Sequence, residues 1–133
     1  MDMEQLLDVG VEEFKIAGGG VLRFHPGDPN LFARFLEAEQ EVQQLEKTFA
    51  EKAKAGTPVL TLMAQADASM KEILNNVFGG DNDFHKALGG VNLLAVGADG
   101  RNLASHLFET LEKILTAGAD RFARAQADKL KVN

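Results

Sequence analysis

From Leu31 the apolar or small residues recur at Leu31, Phe35, Ala38, Val42, Leu45 and Phe49, in steps of 4, 3, 4, 3 and 4. That spacing draws one stripe along an α-helix, and the intervening Glu37, Glu39, Gln40, Glu41, Gln43 and Gln44 give it a wet face. Val59, Met63, Ala66, Met70, Ile73 and Val77 repeat the same steps. Two stripes of equal length joined by Ala55-Gly56-Thr57-Pro58 predict an antiparallel helical hairpin, helices over 29–55 and 58–78. Met63 and Met70 read as gap-fillers of its core or as part of an adaptable contact surface for a partner helix. Upstream the period changes. Phe14-Lys15-Ile16 and Val21-Leu22-Arg23-Phe24 alternate, with Ala17-Gly18-Gly19-Gly20 between them, which predicts a β-hairpin within 11–25. Two strands alone are marginal, so the hairpin must lie on the helices or join a sheet made with other subunits.

Downstream, Phe78-Gly79-Gly80 ends the second helix, and Asp81-Asn82-Asp83 opens a short one over 83–88 that Gly89-Gly90 closes. A last helix over 101–131 carries Ala104, Phe108, Leu111, Leu115 and Phe122 on one stripe, broadened by Leu103, Leu107 and Ile114. A stripe that wide implies burial on two sides. Gly118 costs up to about 1 kcal/mol relative to Ala in a helix, so a bend or break is expected near Thr116 to Ala119. Residues 1 to 10 have weak helical character. The fold class is mainly α (α+β): an N-terminal β-hairpin, an antiparallel helical hairpin, a short helix and a long C-terminal helix, in one domain over 1–133.

The punctuation between hairpin and helices is the densest part of the chain. His25 and Asp28 each precede a proline and are pushed toward extended geometry. Pro26-Gly27-Asp28-Pro29 is therefore a turn, Asp28 an N-cap and Pro29 the first helical residue.

Composition removes more functions than it suggests. The chain has 45% apolar and 26% charged residues, an ordinary globular mix, but nine Phe and neither Trp nor Tyr. Its aromatic bulk has no polar handle, which suits packing and greasy contacts. A net charge of -6 with no basic patch argues against nucleic acid. There is no cysteine, the first residues are acidic where a signal peptide is basic, and no apolar run reaches bilayer length. The expectation is a soluble, cytoplasmic protein that binds no membrane.

Catalytic patterns are missing too. The glycines at 18–20 lack the Gly-Lys-Ser/Thr ending of a phosphate loop. Asp81 onward resembles the start of a calcium loop, but Lys86 stands where glycine belongs and Asn92 where the last ligand belongs. His25, His85 and His106 have no i to i+4 metal spacing, and Ser69 and Ser105 lack a nucleophile elbow. No enzyme, cofactor or metal is expected, and an interaction protein is.

The segment Phe24-His25-Pro26-Gly27-Asp28-Pro29 with Phe32, Arg34 and Phe35, and a second one of Phe78-Gly79 with Gly89-Gly90-Val91-Asn92-Leu93, resemble the two signatures of tailed-phage (siphophage-type) tail assembly chaperones. The resemblance runs from about Val11 to Leu115. It departs from the family at Asn75-Asn76-Val77, where relatives carry an acidic residue, and at Ala95 to Arg101, which interrupts the approach to the last helix. It implies a homo-oligomeric protein of the bacterial cytoplasm that binds the tape measure protein while tail tube protein polymerises around it, and that is absent from the mature virion. The matched positions Phe24, Pro26, Asp28, Pro29, Phe32, Arg34, Phe35, Phe78, Gly79, Gly89, Gly90 and Asn92 are assigned mainly to fold. Met63, Met70 and Phe108 are candidates for a client groove built from the helical hairpin and the face of Leu103 to Leu115. A structural virion subunit or a small secreted helical-hairpin protein are the alternatives.

Overall fold

The computed structural model describes residues 10–16 and 19–131. The alternation upstream of the turn gives strand β1 (Glu12–Lys15) and strand β2 (Val21–Phe24), antiparallel, with Glu12 opposite Phe24 and Phe14 opposite Leu22. Even-numbered side chains face the helices, so Leu22 and Phe24 are buried, while Glu13, Lys15 and Arg23 face outward. The expected helical character of residues 1 to 9, and Ala17 and Gly18 of the hairpin turn, lie outside the described residues.

Helix α1 (Pro29–Lys54) starts where the punctuation predicts. The Asp28 carboxylate accepts from the Asn30 N–H at 3.0 Å, and Pro29 occupies the first turn, where no N–H is needed. At its other end Gly56 N–H donates to Ala53 O and Thr57 N–H to Lys52 O, the pair of bonds that satisfies the last carbonyls of a helix. Helix α2 (Val59–Phe78) returns antiparallel against α1. Two successive glycines with positive φ, Gly79 and Gly80, end it, a geometry that side chains disfavour. The short helix α3 (Phe84–Ala87) is capped by Asp83, which accepts from His85 N–H. Residues 88–102 then turn back, with Val96 bridging Asn102, and the long helix α4 (Leu103–Lys131) packs on α1. Asn102 accepts from Ser105 N–H at 2.8 Å, which sets the start of α4 two residues later than 101.

Phenylalanines tie the elements together. Phe14 stacks on Phe24 at 4.5 Å, Phe24 meets Phe78 at 4.8 Å, and Phe78 also contacts Phe84 and Phe35. Phe35 stacks in turn on Phe108 at 5.8 Å. Aromatic pairs of this kind add about 0.5–1.5 kcal/mol each beyond the area they bury, so one connected set holds the hairpin, α1, α2, α3 and α4 on a common core.

Three expectations are corrected. The α1 stripe is buried as far as Val42, but the α2 stripe is rotated: Val59 is exposed and Met63 half-buried, while Leu62 and Leu74 join Ala66, Met70 and Val77 in the core. The residues that decide this phase are those facing α1 and the 88–93 turn, which spacing within α2 alone does not reveal. Helix α4 runs unbroken through Gly118. A β-carbon there would overlap the Pro26 carbonyl oxygen, so the glycine lets the buried Pro26 turn lie directly on the helix. Past Asp120, α4 is exposed, so Phe122 is 41% exposed rather than on a buried stripe.

Candidate functional site

Most of the signature residues are placed as scaffold. Phe24, Phe35 and Phe78 are buried in the aromatic set, Pro26 is fully buried under α4, and Phe32 is half-buried beside the core. Asp28 and Pro29 start α1, and Gly79 ends α2. The Arg34 Nε–H donates to Val77 O at 3.1 Å, so its guanidinium satisfies a carbonyl in the last turn of α2 and locks the two helices in register. Met70 is fully buried and lines no groove, Met63 is half-buried, and Phe108 reaches from α4 to stack on Phe35. The inner faces of the helical hairpin are therefore consumed by the core.

An apolar groove lies elsewhere, on the opposite flank of α4. Ile16 just after β1, Leu88, Val91 and Leu93 of the turn after α3, and Leu103 and Leu107 of α4 surround a space of about 430 Å³. Lys15, His106 and Thr110 are its polar rim. The His106 Nε2 is held 2.7 Å from the Asp99 carboxylate. Asp99 is itself held below the usual carboxylate range, first by the Arg101 N–H and then by His106. The groove walls are mainly apolar, which suits contact with apolar groups of a ligand or partner.

One wall of this groove is fixed by Asp67 and Lys71, which motif reading missed, together with the signature residue Asn92. Lys71, 2% exposed, donates to Asp67 Oδ2 at 3.0 Å and to Val91 O at 2.7 Å, while Asp67 Oδ1 accepts from Leu93 N–H at 2.8 Å. Asn92 adds a bond from its amide to Met63 O and accepts from Leu94 N–H. The turn that presents Val91 is thus anchored to α2 by a buried ion pair and an asparagine. The i to i+4 Asp67–Lys71 spacing was the one sequence signal available, and it is common on surface helices. Asn82 was also missed: its side chain accepts from Arg23 N–H at 2.7 Å and donates to Arg23 O at 2.8 Å, standing in for a neighbouring strand on the outer edge of β2.

A smaller recess between α1 and α4 contains Glu39 and Ala104 and is floored by Phe108. Burial, and next the nearby Glu112 carboxylate, push the Glu39 carboxyl above its ordinary range. Among the described residues no three His, Cys, Asp or Glu side chains gather as a metal site, and no helix is long and apolar enough to cross a membrane. The chain matches no protein-family model, no curated protein and no solved structure.

Proposed function

We propose that this chain is a tail assembly chaperone of a tailed phage, without catalytic activity, that holds an apolar helical segment of the tape measure protein while tail tube protein assembles. The observation that carries the reading is the apolar groove along α4, open to solvent and walled by Leu107, Leu103, Val91 and Ile16. A groove of this kind suits the apolar face of a helix, read by anchors three and four residues apart. The two sequence signatures supply the family, and the groove supplies a surface such a protein needs. Relative to the expectation from sequence, this reading keeps Leu103 and Leu107 of the α4 face and leaves out Met63, Met70 and Phe108, which do not line the groove. The reading places the protein in the bacterial cytoplasm and outside the finished virion.

The test is affinity purification of the tagged chain from cells producing the parent phage, with mass spectrometry of the eluate and of purified particles. Recovery of a very long helical protein together with tube subunits, lost on Leu107→Arg, and absence from particles are the expected results. Presence in particles at a fixed copy number would make the chain a structural virion subunit. Recovery of neither partner would remove the chaperone reading.

A further inference from the structure

The two edges of the β-hairpin are treated differently, and the difference points to a second copy of this chain. On β2, the backbone N–H and C=O of Arg23 are both taken by the Asn82 side chain. Because Arg23 points away from β1, Leu22 and Phe24 point toward it and bond Phe14 and Glu12. Ile16 continues the pattern by donating to Gly20 O at 2.7 Å. It follows that the N–H and C=O groups of Glu13 and Lys15 point outward from β1, and no described residue bonds them. Among the described residues the β2 edge is blocked at Arg23 while the β1 edge is unbonded at Glu13 and Lys15, and an unbonded edge is a template for another strand.

We infer that β1 pairs antiparallel with β1 of a second copy about a two-fold axis at Phe14, giving a four-stranded sheet. The hydrogen-bond pattern requires the outward-pointing residues to pair with each other, which leaves axes at Glu13, Phe14 or Lys15 in this strand. An axis at Glu13 or at Lys15 sets like charges directly opposite, which destabilises. The axis at Phe14 sets Glu13 opposite the second copy's Lys15, twice. These pairs exchange backbone hydrogen bonds, and the two Phe14 rings, each half-buried in its own chain, meet at the axis on the helix-covered face. Glu13 also bridges Arg23 at 3.0 Å, so the outer face of the joined sheet carries a row of alternating charge. The strand is self-complementary in one register, and pairing doubles a sheet too small to be stable by itself. The pairing is made by the β1 backbone and not by the groove walls, although Lys15 also stands on the groove rim, so oligomeric state and client recovery are read separately.

Sedimentation velocity and native mass spectrometry of the full chain test it. The unaltered chain should show a concentration-dependent dimer of the 14.4 kDa protomer. Lys15→Glu sets Glu opposite Glu13 of the second copy, and Glu13→Lys sets Lys opposite Lys15, so each alone should associate roughly tenfold or more weakly. Lys15→Glu is the cleaner variant, because within its own hairpin Lys15 faces only Val21. An equal mixture of the two variants restores both opposite-charge pairs and should recover a heterodimer. A monomer at every concentration, dimers as tight in the single variants as in the unaltered chain, or a mixture that stays monomeric would each overturn the inference.

Discussion

Single residues carry two roles that a propensity argument gets with the wrong sign. Replacing a helical glycine by alanine ordinarily stabilises by up to about 1 kcal/mol. Gly118→Ala is expected to destabilise by about 2 kcal/mol instead, because the added carbon overlaps backbone of the Pro26 turn, which has no flexible end to move aside. Chemical denaturation gives the sign directly, and a gain in stability would mean the turn does not rest on α4. Lys71 is the second case. Truncation to Ala leaves Asp67 and the Val91 carbonyl without their donor in a buried setting, at an expected cost of about 3 kcal/mol. The same substitution at the exposed Lys113, paired with Glu109 on the surface, should cost far less, because solvent screens that pair.

At the scale of elements, pH acts on α1 and α4 through Glu39. The unfolded chain ionises this carboxyl in the ordinary range, while the folded chain keeps its proton to higher pH, so between the two values the folded state binds more protons. The stability contributed by Glu39 is therefore full below the ordinary carboxylate value and lost as pH rises through the raised one. Glu39→Gln should gain about 0.5 kcal/mol or less at neutral pH and nothing in acid, as read from denaturation midpoints at several pH values. Asp99, in the turn before α4, has the opposite sign: its carboxyl is lowered, so its contribution is present above the ordinary value and lost as pH falls through the lowered one. The hairpin is held at the β2 edge by Asn82. Asn82→Ala leaves Arg23 without its side-chain partner and should cost about 1–2 kcal/mol, with faster hydrogen exchange at Arg23 than at Leu22.

For the whole molecule, substitutions in the core and on the groove wall should behave differently. Met70→Asp places a charge in the fully buried core and is expected to abolish cooperative folding, so loss of client binding there says nothing about a groove. Leu107→Arg, at the half-buried groove wall, should keep the melting transition within a few degrees while removing the client. Much of the architecture was legible because local chemistry and pattern agree: Asp28-Pro29 starts α1, Gly56 stops it, the glycine pairs after Phe78 and Leu88 end elements, and hydrophobic alternation yields the hairpin. These signals act within a few residues and need no partner. The phase of α2, the continuity of α4 through Gly118, the burial of Lys71 and the sealing of β2 by Asn82 were not legible, because each depends on a group distant in sequence: the 88–93 turn, the Pro26 carbonyl, Val91 and Arg23. By itself the sequence determined the order and ends of the elements and which faces are greasy. Only the tertiary structure decided which greasy face is consumed by the core and which remains open, since that choice is made by contacts between elements and not by spacing within one.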